Sequence, residues 1–137
     1  MSNAVFTPAY RSKADDYKKT GSANGKITEV ITVSGNHYSG STFLLTVACV
    51  ASLEAPSLLA ISMHASGRIN VEILVRDGSR SYQLYCRKSN ASISLYVKST
   101  NSSEFYTLNT IFLGGTHKPT NTVINSLPVD AEIVRFS

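Results

Sequence analysis

Residues 68–101 read RINVEILVRDG (68–78), SRSYQLYCRKSN (79–90) and ASISLYVKSTN (91–101), and they carry the clearest fold signal in the chain. In the first part, apolar side chains alternate with mostly polar ones, and the apolar positions are Ile69, Val71, Ile73 and Val75. An alternation with a period of two predicts a β-strand with one buried face and one largely solvated face.

The second and third parts repeat one another, because residues 81–90 and 92–101 align position by position around a shared Leu-Tyr pair. The alternating inward positions are Tyr82, Leu84 and Cys86 in one repeat and Ile93, Leu95 and Val97 in the other. Asp-Gly-Ser (77–79) and Ser-Asn-Ala (89–91) separate the three parts and are typical turn sequences. The whole segment therefore predicts three antiparallel strands joined by tight turns.

Further apolar or alternating segments lie on both sides of this region, at residues 27–33, 42–50, 58–64, 104–113, 121–126 and 129–136. Residues 1–25 show neither strand nor helix periodicity and are interpreted as a leader, which leaves 26–137 as one β domain. Eight or so strands without a convincing long helix predict an all-β fold: a sandwich, a jelly roll or a small barrel. We favour an antiparallel, jelly-roll-like β-sandwich.

Residues 42–50 are apolar on both faces of the predicted strand. Phe43, Leu45 and Val47 lie on one face, and Leu44 and Ala48 lie on the other. Such a strand is expected to be covered on both sides. The second cover is either another sheet or another subunit.

The composition indicates a folded domain with a mostly neutral surface. Hydrophobic residues make up 42% of the 137 residues and charged ones only 16%, which excludes a wholly disordered chain. Much of the net charge of +4 comes from residues 11–26, and no recognition motif accompanies it, so nucleic acid is not an expected partner. The sequence has no run of about 18 apolar residues and no secretory signal pattern, so membrane insertion is not expected.

No group of side chains in the sequence indicates catalysis. His37, His64 and His117 lack the spacing of a metal site. Cys49 and Cys86 fall at inward strand positions and are interpreted as buried free thiols, with a disulfide between them left open. In a chain with nine acidic residues, two carboxylates can always be found at roughly the separation that a glycosidase requires. Their presence therefore does not indicate sugar hydrolysis. We expect a non-enzymatic protein with no catalytic residues, no metal and no cofactor.

Tyr85 and Tyr96 occupy equivalent positions in the two repeats, beside Arg87 and Lys98. If the two strands pair, these four side chains form an aromatic and basic strip on the face opposite Leu84. Three roles are open to this tyrosine strip. Its rings can cover the sheet as a cross-strand pair, contact another subunit, or stack on a sugar.

The Leu-Tyr-x-Lys/Arg repeat (84–87 and 95–98), followed by Phe-Tyr-Thr-Leu (105–108), resembles the C-terminal head domains of bacteriophage tail fibres and tailspikes. The resemblance covers roughly residues 26–113. It implies a compact β-sandwich, often jelly-roll-like, that trimerises at the tip of a fibre. It also implies that the domain recognises host surface glycans or helps the trimer to fold, with residues 1–25 as the junction with a shaft.

On that resemblance, we expect a viral receptor-binding domain on the virion, outside the cell, that binds a host cell-surface carbohydrate as a homotrimer. Tyr85, Tyr96, Arg87 and Lys98 are its candidate ligand-binding residues. The alternative is a structural trimerisation or assembly cap of a fibre, with no ligand of its own.

Overall fold

The computed structural model describes residues 17–22, 27–36, 38–48, 56–75, 82–100 and 106–136. Within these ranges the chain forms ten β-strands, and no helix long and apolar enough to cross a membrane occurs there. The strands are β1 (Tyr17–Ser22), β2 (Ile27–Ser34), β3 (Gly40–Ala48), β4 (Ser57–His64), β5 (Arg68–Val75), β6 (Tyr82–Ser89), β7 (Ser92–Ser99), β8 (Tyr106–Gly115), β9 (Thr122–Ile124) and β10 (Glu132–Ile133).

The strands form two antiparallel sheets of five strands each. The first sheet has the order β1-β8-β3-β4-β5, and the second has the order β10-β6-β7-β2-β9. Side chains from both sheets fill the space between them in one hydrophobic cluster. The predicted all-β sandwich is confirmed.

The core is built from the alternating positions of the central strands. Its largest fully buried members include Phe43, Leu45, Leu59, Ile61 and Met63 from the first sheet and Tyr82, Leu84, Ile93 and Leu95 from the second. Cys86 is also buried there as a free thiol, and this burial raises its pKa. Cys49, the other cysteine, lies outside the described residues.

The two repeated segments form a hairpin, as predicted, but the strand before them does not join it. β6 and β7 pair over their whole length, and Ala91 adopts a left-handed φ of 58° in the turn between them. β5 lies instead at the edge of the first sheet, beside β4. The predicted three-stranded meander is therefore wrong between β5 and β6. Alternation specifies which face of a strand is buried but not which sheet the strand joins.

The inward positions predicted for β5 are correct for its first three apolar residues, Ile69, Val71 and Ile73, which are half-buried against the core. Val75 is exposed instead. Leu58 pairs with Val75 while Leu59 pairs with Ile73, so the strand has a bulge at Leu74. The extra residue shifts the alternation and brings both Leu74 and Val75 to the outer face.

Only one face of β3 is fully buried. The core side chains Phe43, Leu45 and Val47 are buried, whereas Leu44 and Ala48 on the outer face are half-buried. The described part of the chain therefore does not supply the full second cover that was predicted for this strand.

The first sheet begins inside the segment interpreted as a leader. β1 pairs with β8 from Tyr17 opposite Ile111 to Ser22 opposite Tyr106. Its sequence, YKKTGS, lacks an apolar alternation, and strand periodicity could not have revealed it. An edge strand is held by its backbone ladder on one side, so it can form from such a polar sequence.

Candidate functional site

The structure brings the four residues of the tyrosine strip together on the outer face of the second sheet. Tyr85 lies directly opposite Tyr96 in the β6–β7 pair. Arg87 follows Tyr85 by two residues and Lys98 follows Tyr96 by two, so all four share the face opposite the core. The cross-strand pairing of the two tyrosines is as the repeat predicts.

Residues 125–131, which we call the strap, cross over this strip. The strap joins β9 to β10, which lie at opposite edges of the second sheet. Four strand spacings of about 4.8 Å separate these edges, about 19 Å in all. Seven extended residues span at most about 25 Å, so the strap crosses a face of the sheet with little slack. Because the core fills the inner face, the crossing is on the outer face.

Two observations place the strap over the tyrosine strip. Arg87 donates from Nε to Oδ1 of Asp130, on the strap, at 2.9 Å in an ion pair. Tyr96 is only 4% exposed although it faces away from the core, and Ile27, which pairs with Lys98 on the same face, is also buried. Asp130 also acts electrostatically on the Tyr96 phenol, which places the strap near Tyr96.

The burial of Tyr96 limits the roles that are open to the tyrosine strip. Burial raises the pKa of the Tyr96 phenol, and its ring presents no open face on which a sugar could stack. Tyr85 is half-buried and donates its hydroxyl to Oε1 of Gln83 at 2.8 Å. Tyr96 therefore offers little surface to a ligand, whereas Arg87 is exposed and Tyr85 and Lys98 are half-buried. Ligand binding by the tyrosine strip stays a prediction.

A second candidate surface is a groove that is open to solvent. A groove of about 640 Å³ lies beside β4 and β5, on the outer side of the first sheet. We call it the Tyr38 groove, and it is lined by Tyr38, Ser62, His64, Ser66, Arg68, Ile69 and Asn70. Its volume falls in the range of small-molecule sites in proteins.

Most of the polar side chains that line this groove belong to the β4–β5 hairpin. His64 lies opposite Arg68, and Ser62 lies opposite Asn70, on the outer face of both strands. Gly67 closes the turn with a φ of 93°, which favours glycine. Its amide donates to the His64 carbonyl at 2.9 Å, and this bond fixes the register of the hairpin.

The aromatic wall of the groove comes from the turn between β2 and β3. The Tyr38 amide donates to Oδ1 of Asn36 at 2.9 Å, and the Ser39 amide donates to the Asn36 carbonyl at 2.9 Å. The Ser39 carbonyl in turn accepts from the amide of Ala65 at 2.9 Å, which ties this turn to the end of β4. These bonds fix the backbone of the turn, and Tyr38 itself is 80% exposed.

Sequence reasoning missed the Tyr38 groove. The Ala-Ser-Gly sequence at 65–67 is typical of a turn, and such a turn places His64 opposite Arg68. Nothing in the local sequence, however, indicated that Tyr38 lies beside this hairpin. The contact depends on the bond between Ser39 and Ala65, which are 26 positions apart.

The side chains that line the Tyr38 groove are better suited to binding a ligand than to catalysis. A flat aromatic ring stands beside hydroxyl, amide, imidazole and guanidinium groups, which together donate and accept hydrogen bonds. The described lining residues include no carboxylate, so they offer no acid/base pair for sugar hydrolysis. In the described ranges, no three His, Cys, Asp or Glu side chains are grouped as metal ligands would be.

No family model, curated protein or solved structure matches the chain.

Proposed function

We propose that this domain is a non-enzymatic carbohydrate-binding β-sandwich and that the Tyr38 groove holds the sugar. The observation that carries the proposal is the exposure of Tyr38, at 80%, on a hydrogen-bonded turn beside the polar side chains of His64 and Asn70. A sugar ring has apolar C–H faces and a rim of hydroxyls, so it needs one flat apolar surface and several hydrogen-bonding groups.

The resemblance to tail-fibre heads supplies the proposed setting. In that setting the domain is carried outside the cell on a virion, and its ligand is a glycan of a host cell surface. A shallow open groove is expected to bind one sugar weakly, so presenting several copies together would raise the avidity on a cell surface.

The first test is binding to bacterial surface polysaccharides and their oligosaccharides, with the variants Tyr38→Ala and Tyr85→Ala compared with the wild type. We expect Tyr38→Ala to weaken binding at least about tenfold, which corresponds to about 1.4 kcal/mol, because the stacking surface is lost. Tyr85→Ala is the matched control, since it removes a tyrosine from the opposite sheet. Loss of binding in Tyr85→Ala with none in Tyr38→Ala would move the site to the tyrosine strip.

The apolar outer face of the first sheet favours a second candidate function, an assembly cap. Ile111, Leu113, Leu74 and Val75 are large exposed side chains on this face, and Ile111 pairs with the half-buried Leu44. An apolar surface that crosses several strands is typical of a protein–protein contact.

An assembly cap predicts a particle of about three times the chain mass of 14.8 kDa in light scattering. The variant Leu113→Asp should lower that mass, because a charge would be buried in the contact. Assembly combined with no binding to any glycan would favour the cap over the carbohydrate-binding domain. An unchanged mass in Leu113→Asp would exclude this face as the contact.

A further inference from the structure

β5 is the last strand of the first sheet, and within the described ranges no other strand pairs with its outer side. The backbone amide and carbonyl groups on that side can therefore form a ladder with an added strand. β5 is eight residues long, which is enough for a stable pairing. In most proteins a long open edge of this kind is either shielded from pairing with another chain or used for such pairing.

A groove runs along this edge. It measures about 460 Å³ and is lined by four consecutive residues of β5, Asn70 to Ile73, and by Phe136 from the C-terminal segment. Val71 and Ile73 are half-buried and pack against the core, as does Phe136. A strand laid beside β5 would place its own inward side chains next to these residues and extend the core.

The outer face of β5 carries a charge pattern that is complementary to itself. Arg68, Asn70 and Glu72 are exposed and lie on the same face at intervals of two residues. Arg68 and Glu72 are about 13 Å apart along the strand, too far to form an ion pair with each other. Among the described residues, no ion pair joins either of them to another side chain.

We propose that β5 pairs antiparallel with β5 of a second copy of this chain, about a two-fold axis at Asn70. In that register Arg68 lies opposite the partner's Glu72, and Glu72 lies opposite the partner's Arg68. Asn70 meets its own counterpart, where each amide group can donate and accept. On the core side, Ile69 lies opposite the partner's Val71, and the two first sheets become one sheet of ten strands.

The charges select this register over its neighbours. A shift by one residue would turn the core-facing side chains of the added strand outward. A shift by two in one direction leaves Arg68 opposite the partner's Asn70, and in the other direction opposite the partner's Leu74. Further shifts set two arginines or two glutamates opposite each other, which is destabilising. Only the register centred on Asn70 pairs both charges.

This contact is isologous, so it closes as a dimer. It does not depend on carbohydrate binding, because it rests on the edge of β5 and not on Tyr38. It would place two Tyr38 grooves beside the same axis, since Arg68 and Asn70 belong both to the edge and to the groove.

Light scattering after size-exclusion chromatography tests the contact in the full-length chain. We expect about twice the chain mass of 14.8 kDa at concentrations of tens of micromolar. Arg68→Glu and Glu72→Arg should each weaken the dimer by about tenfold, because each change sets like charges against each other twice across the axis. The double variant, which exchanges the two charges, should restore the dimer.

Lys88→Glu is the matched control, since it makes the same charge change on an exposed position of β6. The proposal is overturned if the wild type is a monomer or a trimer at these concentrations. It is equally overturned if Lys88→Glu weakens the dimer as much as Arg68→Glu, or if the double variant is no tighter than the single ones. Intact glycan binding in a monomer would leave the proposed function standing while the dimer fails.

Discussion

At the scale of single residues, burial separates two tyrosines that the sequence makes equivalent. Tyr85 and Tyr96 occupy the same place in the repeat and lie opposite each other, yet Tyr96 is buried and Tyr85 is half-exposed. Asp130 lies near Tyr96 and belongs to the strap, a segment 29 or more residues further along the chain than either tyrosine. The repeat could predict the pairing, but not the cover.

The raised pKa of Tyr96 gives a pH dependence with a definite sign. Burial favours the neutral phenol in the folded chain, so the unfolded chain loses this proton at a lower pH than the folded chain. Above about pH 10, where a free tyrosine ionises, the unfolded state binds fewer protons and the free energy of unfolding falls. It continues to fall until the pH passes the pKa of Tyr96 in the folded chain.

Urea unfolding at pH 8 and at pH 10.5 measures this loss of stability. The variant Tyr96→Phe should lose less stability between the two values than the wild type, with Tyr85→Phe as the control for removing a hydroxyl. An equal loss in the wild type and Tyr96→Phe would show that the phenol is not buried as described.

At the scale of elements, the alternation of residues located the strands but not all of their partners. The β6–β7 hairpin followed from two matching repeats joined by a tight turn. The place of β5 did not follow, because the turn predicted at Asp-Gly-Ser (77–79) allows either a hairpin or a crossing to the other sheet, and these residues lie outside the described ranges. The bulge in β5 and the polar edge strand β1 also could not be predicted from the sequence. Neither the register shift at Leu74 nor the pairing of β1 leaves a mark in the alternation of apolar and polar residues.

The end of β8 provides a sharp test of the register between β3 and β8. Gly115 has a φ of 126°, and a Cβ atom there would overlap the carbonyl oxygen of Gly40. That oxygen also accepts the amide of Thr116 at 2.7 Å. We expect Gly115→Ala to lower the free energy of unfolding by about 2 kcal/mol or more, because both the backbone and its neighbour must shift.

Gly114→Ala is the matched control, because a Cβ atom at Gly114 would meet no atom within 4 Å. Urea unfolding of both variants measures the difference. Equal stabilities of Gly114→Ala and Gly115→Ala would contradict the close approach of Gly115 to Gly40.

At the scale of the whole molecule, the fold class was predictable and the proposed binding surface was not. The two sheets follow from apolar alternation, which any sandwich requires. The Tyr38 groove instead combines a turn after β2 with a hairpin formed by β4 and β5, and this meeting depends on the packed fold. The tyrosine strip was predicted because its residues are neighbours in a repeat, whereas its ion pair with Asp130 of the strap was not.

The mass in solution distinguishes the modes of assembly at this scale. Twice the chain mass supports the pairing of β5 with a second copy, whereas three times supports the trimer that the resemblance to fibre heads implies. A monomer would leave the Tyr38 groove as a single binding site.

NMR titration distinguishes carbohydrate binding in the Tyr38 groove from binding elsewhere on the domain. A ¹⁵N-labelled chain is titrated with an oligosaccharide that binds the wild type, and the shifting amides are assigned. We expect the largest shifts at Tyr38, Ser62, His64 and Asn70, and we expect Tyr38→Ala to abolish them. Largest shifts at Tyr85, Arg87 and Lys98 would contradict it.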